Sequence, residues 1–417
     1  MADTSTELSL EQALSLVVEL QQERRMEAAV QLCQRVLEAA PGHPDALHLL
    51  GLALHRVGLA EEAVARIEQA IAAQPDFPDY HNNLGNIYAL AGQVPEATAA
   101  YERAIQLRPD CADWHNNLGV LYKADGRFEE AMAAYERALA LDAQHTRAVN
   151  NIGLLYAAQG ELERAVRYYI KALELMPGNQ DARHLLGMTW YALKKYDEAA
   201  EVFRQWLEKV PDHPVARHMY AALSGKGVPE RAPDHYVEHT FDRFAQSFER
   251  TLTERLEYRA PELCAKLVGE CLAEHRGGLR VLDAGCGTGL CGPLLKPWAG
   301  VLAGVDLSRG MLDLAQTKGV YTDLYKAELT EFLRASPGHW QLIVSADTLC
   351  YFGSLRAFAQ AAHDALEPGG WLVFSVEALE GEEDRAEIQP SGRYAHSPGH
   401  LRAAFAEAGL PLHTLRG

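Results

Sequence analysis

The sequence predicts two fold classes in one chain of 417 residues, an all-helical repeat array followed by an α/β domain with a parallel sheet. In the first half a glycine recurs every 34 residues, which indicates a repeated helical unit. In the second half short apolar segments alternate with helical patterns, as expected for a doubly wound parallel sheet. The first apolar segment runs into a glycine-rich turn at 281–289, the place where such sheets bind nucleoside ligands.

Several residue types keep the 34-residue period together. They are Gly51, Gly85, Gly119, Gly153 and Gly187; Ala63, Ala97, Ala131, Ala165 and Ala199; Tyr101, Tyr135, Tyr169 and Phe203; and Pro41, Pro75, Pro109, Pro177 and Pro211. This pattern is typical of tetratricopeptide (TPR) repeats. We expect the small residues where the two helices of a repeat touch, and the aromatics between neighbouring repeats. The proline ends the second helix because it cannot continue one.

Five clear repeats at 44–211, a degenerate first repeat at 10–40 and a closing helix at 213–223 place a TPR solenoid at 1–224. Residues 225–234 hold two glycines and two prolines, which indicates a short linker. The α/β domain then occupies 235–417, with a helical lead-in at 235–278.

The glycine-rich turn differs from the dinucleotide-binding fingerprint, which needs glycines at relative positions one, three and six. Gly285 and Gly287 fill the first two positions, but Leu290 stands at the sixth and the third glycine, Gly289, comes early. Glycines in this place let the backbone approach a ligand closely. The turn is therefore expected to bind a nucleoside cofactor and not the dinucleotide NAD.

Acidic residues recur where the predicted strands end. Asp283 ends the first strand, and Asp306 ends the second, 23 residues later, where a carboxylate can accept hydrogen bonds from both ribose hydroxyls. The remaining predicted strands are 324–329, which carries Glu328; 342–347, which ends in Asp347; and a fifth that follows the turn within 366–374.

Residues 281–289 resemble motif I of the class I S-adenosylmethionine (SAM) methyltransferases, and the resemblance continues in order over about 235–417. It implies a Rossmann-like fold and SAM as cofactor, with the turn at the methionine part, Asp306 at the ribose and Glu328 at the adenine amino group. The cofactor-binding residues so implied are Asp283, Gly285, Cys286, Gly287, Gly289, Asp306, Leu307, Met311, Glu328, Leu329 and Asp347. Residues 241–248, 256–261 and 392–397 are similar to a bacterial subgroup in which the methyltransferase often follows TPR repeats.

Methyl transfer from a sulfonium needs an aligned acceptor and, where required, a base that takes its proton. Three residues are candidate catalytic groups: Asp347, Tyr351 and His396. Asp347 could equally cap a helix or orient the cofactor, Tyr351 could be a packing aromatic, and His396 could support a loop. Cys286 is expected to pack beneath the glycine turn.

Paired asparagines recur in three successive first helices, and the second of each pair is Asn83, Asn117 and Asn151. Equivalent residues of a solenoid align along one surface, and an amide can bond both N–H and C=O of an extended peptide. The three resemble the asparagine ladder of the protein O-GlcNAc transferase repeats. In this sequence the series ends in the next repeat, where Leu185 stands at the equivalent position. They are candidates for binding a protein or peptide on the concave face, or else they bond within the helix layer.

Composition argues against several partners. The net charge of -18 disfavours a nucleic-acid substrate, since such proteins need a basic surface. We expect no signal peptide and no membrane span, and the seven irregularly spaced cysteines fit reduced thiols in the cytoplasm. Residues 235–239 fit the H-x-x-E-H zinc pattern, but no third ligand is identifiable and no metal is expected.

Three functions remain open at this point: methylation of a protein or peptide recruited by the repeats, methylation of a small molecule with the repeats used for assembly, and an adaptor with a degenerate methyltransferase domain. Residues 410–415 are expected to form a strand. Because only two residues follow, the final strand of the fold is expected to be missing or to lie beyond this sequence.

Overall fold

A computed structural model describes residues 8–242, 259–275 and 277–416. The chain packs as two compact units, and the division falls between Thr189 and Trp190. This division comes earlier than residue 224, where the sequence pattern places the end of the solenoid. The last helices of the repeat pattern therefore group with the α/β domain.

The first unit is a series of helices of 13 or 14 residues, and each of the first nine packs against the helix that follows it. They are α1 (Leu10–Gln22), α2 (Met26–Ala39), α3 (Pro44–Arg56), α4 (Ala60–Ala73), α5 (Pro78–Leu90), α6 (Val94–Leu107), α7 (Ala112–Ala124), α8 (Phe128–Leu141), α9 (Thr146–Ala158), α10 (Leu162–Leu175) and α11 (Gln180–Ala192), which crosses the division. The predicted TPR superhelix is confirmed.

Periodic glycines set how closely the two helices of a repeat approach. A Cβ added to Gly119 of α7 would lie 2.6 Å from the Tyr135 ring of α8, and Gly85 faces Tyr101 in the same way. The aromatic therefore packs onto the glycine of its own repeat. Tyr101 and Tyr135 also belong to one buried cluster with residues of the neighbouring repeats, which agrees with the position expected between repeats. Close packing of a flat ring on a bare backbone requires glycine here.

The second unit combines helices with a five-stranded parallel sheet. Its helices are α12 (Tyr196–Lys209), α13 (Pro214–Ser224), α14 (helical residues 234–242), α15 (Ala260–Cys271), α16 (Gly292–Leu295), α17 (Arg309–Thr317), α18 (Leu329–Arg334), α19 (Arg356–Ala365) and α20 (Pro398–Glu407). Its strands are β1 (Leu279–Ala284), β2 (Ala299–Asp306), β3 (Asp323–Lys326), β4 (Trp340–Ser345), β5 (Leu366–Phe374), β6 (Glu377–Ala378), β7 (Ala386–Ile388) and β8 (Tyr394–His396).

The large sheet has the strand order β3-β2-β1-β4-β5, with every pair parallel. After β1, the chain adds β2 and β3 on one side of it and then crosses over to add β4 and β5 on the other side, so the switch point lies between β1 and β4. Ligands bind at such a switch point, outside the carboxyl ends of the strands. The predicted doubly wound, Rossmann-like domain is confirmed, and β6-β8-β7 form a second, small sheet.

Three local predictions differ from the structure. The third strand is Asp323–Lys326 and ends before Glu328, because that residue caps the following helix α18. Residues 410–415 form no strand and have no regular structure. The predicted linker is partly packed, since Ala232 is buried and Arg231 bridges to Phe352.

Part of the helical lead-in lies outside the described residues. Of the segment 241–248 that resembles the bacterial subgroup, only Phe241 and Asp242 are described, in α14, and the rest lies outside the described residues. Within the described ranges, we find no helix with the length and apolar character needed to cross a bilayer.

Candidate active site and cofactor cleft

The glycine turn after β1 follows the carboxyl end of the central strand. Gly285, Gly287 and Gly289 all have positive φ angles, of 79°, 52° and 84°. A Cβ on Gly285 would lie 2.1 Å from Oγ1 of Thr348, so this position requires glycine both for its conformation and for its space. The backbone N–H groups of Gly285 and Cys286 donate to the Val305 carbonyl, which fixes the turn against β2.

Asp306 holds the same turn from the end of β2. Its Oδ2 accepts from the Gly287 backbone N–H at 2.9 Å, and its Oδ1 accepts from that of Ser308 at 2.9 Å. Burial raises the pKa of Asp306, and the backbone donors oppose that shift. The carboxylate lies in the wall of a cleft above the turn, so it faces the space that the sequence assigns to a ribose.

Two residues of the predicted cofactor set lie beneath the turn and not in the cleft wall. Asp283 is 1% exposed, and its Oδ2 accepts a 2.6 Å hydrogen bond from the Tyr321 hydroxyl. Burial raises its pKa to about 7, although the Tyr321 hydrogen bond lowers it. Gly289 packs against Tyr321 and Ala315. Asp283 and Gly289 thus support the turn from beneath. The sequence pattern could not distinguish residues that support the turn from residues that line the cofactor cleft.

Cys286 is buried and packs with Leu312 and Ala315, as expected for a side chain beneath the turn. Burial raises the pKa of its thiol well above the usual value. A thiol that stays protonated is a weak nucleophile.

Glu328 is the N-cap of α18. Its carboxylate accepts from the backbone N–H groups of Thr330 and Glu331 at 3.0 and 2.8 Å, and Arg231 donates to it at 2.7 Å. Arg231 belongs to the segment predicted as a linker. Its contact with Glu328 brings that segment to the edge of the cleft, where the sequence expects the adenine amino group.

The cleft lies at the carboxyl ends of β1, β2 and β4 and has a volume of about 1110 Å³, its open mouth included. Its wall contains most of the predicted cofactor residues: Gly285, Cys286, Gly287, Asp306, Leu307, Met311, Glu328, Leu329 and Asp347. Helix α14 contributes Val237 and Phe241. This helix is tied down by Lys326, which donates to Glu238 at 2.6 Å, and by Asp242, which accepts from Ser308 at 2.5 Å.

Asp347 follows β4 and has a φ angle of 57°, which is uncommon for a residue with a side chain. Its backbone N–H donates to the Ser375 hydroxyl at 2.8 Å. Its carboxylate forms an ion pair with the Arg393 guanidinium, which also pairs with Glu377. Lone pairs that already accept from Arg393 are less available to take a proton from a substrate. This geometry favours an orienting role for Asp347.

Tyr351 lies in the cleft wall, with its ring edge-on to that of Phe241 at 5.6 Å between centroids. Burial raises the pKa of Tyr351 well above its usual value, so the phenol stays protonated. A protonated phenol can donate a hydrogen bond to an acceptor or pack against it.

His396 does not lie in the cleft wall. It is 1% exposed, and its Nε2 lies 2.7 Å from the Phe352 carbonyl oxygen. Burial lowers its pKa to about 4. A buried imidazole that donates to a backbone carbonyl supports the wall from behind. The structure therefore does not bring the candidate catalytic group His396 into the cleft and favours the alternative that it supports a loop.

Sequence reasoning missed several cleft residues, notably Arg231, Thr348, Phe352 and Arg393. Arg393 lies within the segment 392–397, which is similar to the bacterial subgroup, so the resemblance could have indicated it. No sequence signal indicates Arg231, because it lies in a segment with the composition of a linker and its partner Glu328 is 97 residues away.

In the repeats, each ladder asparagine donates to the preceding repeat. Asn117 Nδ2 donates to Asn82 at 3.2 Å, and Asn151 Nδ2 donates to Asn116 at 2.8 Å. Asn83 Nδ2 lies 2.8 Å from Nε2 of a histidine in α3. These side chains are half-buried, so part of each amide bonds within the helix layer and part remains exposed.

Comparisons with known families agree with both units. The methyltransferase domain family matches residues 255–414. Two tetratricopeptide repeat families match residues 78–144 and residues 20–87 and 156–223. The chain thus carries TPR repeats followed by a methyltransferase domain, whose methyl donor is S-adenosylmethionine.

Curated relatives match about 160 residues of this chain. The ubiquinone biosynthesis O-methyltransferase of Bordetella bronchiseptica is 26% identical over 157 residues, which are 34% of this chain and 65% of the relative. Those of Burkholderia pseudomallei and Thiobacillus denitrificans are 29% and 27% identical, each over 34% of this chain and over 69% and 68% of their own lengths. The chain spans about two thirds of the relatives it matches.

Proposed function

We propose that this SAM-dependent methyltransferase acts on a protein or peptide that its TPR repeats recruit, or on a group that such a partner carries. The observation that carries the proposal is the combination of an open cleft at the glycine turn with a repeat surface that presents aligned amides. Solenoids of this kind form extended concave surfaces that they use for binding.

The residues of the cleft fit the cofactor. The turn presents bare backbone where a Cβ on Gly285 would collide with Thr348, and the Asp306 carboxylate faces the cleft. Leu307, Leu329 and Met311 offer an apolar wall for a purine ring. When bound, the cofactor supplies a methyl group on a positively charged sulfur, a leaving group that needs no further activation.

The chain's own residues would then align the reactants. Asp306 would hold the sugar, and the turn would hold the amino-acid part. Asp347, fixed by Arg393, would orient groups at the end of β4, and the protonated Tyr351 would donate a hydrogen bond to the acceptor. Alignment of this kind supplies much of the acceleration of a bimolecular transfer.

A second candidate is methylation of a small molecule at oxygen, with the repeats used for assembly. It is favoured by the curated relatives, which are O-methyltransferases of ubiquinone biosynthesis. The aromatic pair of Tyr351 and Phe241 in the cleft wall also fits a planar acceptor.

One experiment separates the two candidates. The full chain is incubated with SAM labelled in its methyl group and a cell extract, which is then divided into macromolecular and small-molecule fractions. We expect label in the macromolecular fraction. Replacement of Asn83, Asn117 and Asn151 by alanine should reduce that label while SAM affinity, measured by calorimetry, stays the same. Label only in small molecules would reject the protein acceptor and leave the second candidate.

A further inference from the structure

His218 of α13 is a buried histidine that the methyl-transfer chemistry above does not use. It is 0% exposed, and its ring packs 4.1 Å from that of Tyr236. Its Nε2 lies 2.7 Å from the carbonyl oxygen of Gly392. Because a carbonyl only accepts, Nε2 carries the proton and donates it. Burial lowers the pKa of His218, which keeps the ring neutral with Nδ1 unprotonated.

Gly392 belongs to a tight turn between β7 and β8. Its N–H donates to the Gln389 carbonyl at 2.8 Å, and the Gln389 N–H donates to the Arg393 carbonyl at 2.7 Å. The φ angle of Gly392 is 84°, and a Cβ there would lie 2.9 Å from the Tyr236 hydroxyl and 3.2 Å from Nε2 of His218. The turn therefore lies directly against the imidazole, with no room for a side chain between them.

The residue after Gly392 is Arg393, whose guanidinium reaches the cleft wall and pairs with Asp347 and Glu377. The position of the Arg393 backbone is thus fixed one residue away from the His218 hydrogen bond. A shift of the turn would move Arg393 relative to Asp347 and Tyr351, the end of the cleft where the acceptor is proposed to bind.

We propose that His218 is a positioning residue for methyl transfer: through the Gly392 carbonyl it holds Arg393 against Asp347. Helix α13 follows the last repeat and lies outside the segment that matches the methyltransferase family. The inference rests on the proposed function. It adds that catalysis needs a hydrogen bond from a helix that the sequence pattern assigns to the repeats.

If His218 had a purely structural role, any well-packed side chain in its place would preserve turnover. If it positions Arg393, turnover requires an N–H donor to the Gly392 carbonyl, as Nε2 now provides. The test therefore compares two variants of the full chain. His218→Phe keeps an aromatic ring and removes the donor, and His218→Gln returns an N–H donor without the ring. Tyr236→Phe is the matched control, because it changes the neighbouring ring of the same cluster and removes no hydrogen bond to Gly392.

Turnover is measured at saturating SAM with the labelled acceptor fraction defined above, and SAM affinity is measured by calorimetry. We expect His218→Phe to lower turnover by up to about 100-fold, the effect of a small misplacement of reacting groups. SAM affinity should fall much less, His218→Gln should restore most of the turnover, and Tyr236→Phe should resemble the wild type. Normal turnover in folded His218→Phe, or equal loss in both His218 variants, would overturn the proposal.

Hydrogen exchange of the segment 386–396 tests, without an acceptor, whether His218 holds the turn. We expect faster exchange of the turn amides in both the His218→Phe and Gly392→Ala proteins than in Tyr236→Phe, with β1 unchanged. Should His218→Phe fail to fold, Gly392→Ala replaces it in both measurements, with lower turnover and faster exchange expected, and His218→Gln is expected to stay close to the wild type. If the wild type transfers no methyl group, the proposed function fails, and unchanged exchange in the variants would separately refute the role of His218.

Discussion

Glycine performs different tasks in the two units of this chain. In the repeats, Gly119 has an ordinary helical backbone and is needed because the Tyr135 ring packs on it. In the catalytic unit, Gly285 has a positive φ angle and is also needed for space against Thr348. The first kind of glycine brings two helices together, and the second shapes the surface that faces a ligand. A periodic glycine therefore reports packing, whereas an isolated cluster of glycines at a strand end reports a binding site.

The largest effect is expected at Gly285, which needs both a positive φ angle and free space beside Thr348. Gly285→Ala combines a steric clash with a strained φ angle. Because the turn must shift to relieve them, we expect the binding free energy of SAM to weaken by about 3 kcal/mol, which raises its dissociation constant by about 100-fold. Calorimetry on the full chain measures this change. Gly178→Ala is the control, because no atom lies within 4 Å of its added Cβ and its φ angle is ordinary. Equal SAM affinity in all three proteins would refute the role given to the turn.

The repeat glycine should show the opposite profile. Gly119→Ala places a Cβ 2.6 Å from the Tyr135 ring and should lower the free energy of unfolding by about 1–3 kcal/mol, the usual cost of overpacking. SAM affinity should not change. Denaturant titration and calorimetry of the same protein measure both quantities. A loss of SAM affinity at this site would remove the distinction between the two kinds of glycine.

Buried histidines provide a comparison of the two units with respect to pH. Burial lowers the pKa of His48 in the repeats and of His396 in the catalytic unit to about 4, against about 6.5 in an unfolded chain. Unfolding therefore takes up protons between these values, so each histidine's contribution to stability is complete above pH 6.5 and is lost as the pH falls toward 4. The slope is at most about 1.4 kcal/mol per pH unit for each group.

The variants His48→Leu and His396→Leu should each flatten the pH dependence of unfolding between pH 6.5 and 4. Asp283, whose pKa is raised to about 7, has the opposite effect: its contribution to stability is present at low pH and is lost as the pH rises toward and through that value. Each variant is therefore compared with the wild type at the same pH. Denaturant titration at several pH values gives the slopes. Parallel curves for a variant and the wild type would contradict the assignment for that histidine.

The smallest effect concerns two tyrosines at equivalent repeat positions. The Tyr101 hydroxyl donates to Asn86 at 2.8 Å, whereas the buried Tyr135 hydroxyl has no partner among the described residues. Tyr101→Phe should cost about 1 kcal/mol, and Tyr135→Phe should be neutral or slightly stabilising. Equal effects of the two substitutions on unfolding would show that the hydroxyls are equivalent in solution.

Sequence reasoning worked where the signal was local. The 34-residue period predicts the helices of the repeats, and the strand that ends at Phe374 lies where the pattern places it. The ends of β1, β2 and β4 bring the turn, Asp306 and Asp347 to one cleft because parallel strands share their carboxyl edge.

Local patterns failed where distant segments complete the site. Arg393 pairs with Asp347 across 46 residues, and neither residue's periodicity indicates this. Glu328 was expected in a strand, but its side chain accepts from the next backbone N–H groups and starts a helix instead. The linker composition of 225–234 concealed Arg231, because glycine and proline indicate a break in regular structure and say nothing about packing.

The hydrogen bond between α13 and the β7–β8 turn has a consequence for how such chains change during evolution. Duplication or loss of a whole 34-residue unit leaves the neighbouring units in register, so the array can grow or shrink ahead of α12. A recombination breakpoint after α13 would replace α13 together with the repeats and would separate His218 from Gly392, to which it donates a hydrogen bond. Recombination that preserves enzyme function should therefore have its breakpoints upstream of the last repeat, and the final helices should be inherited with the enzyme.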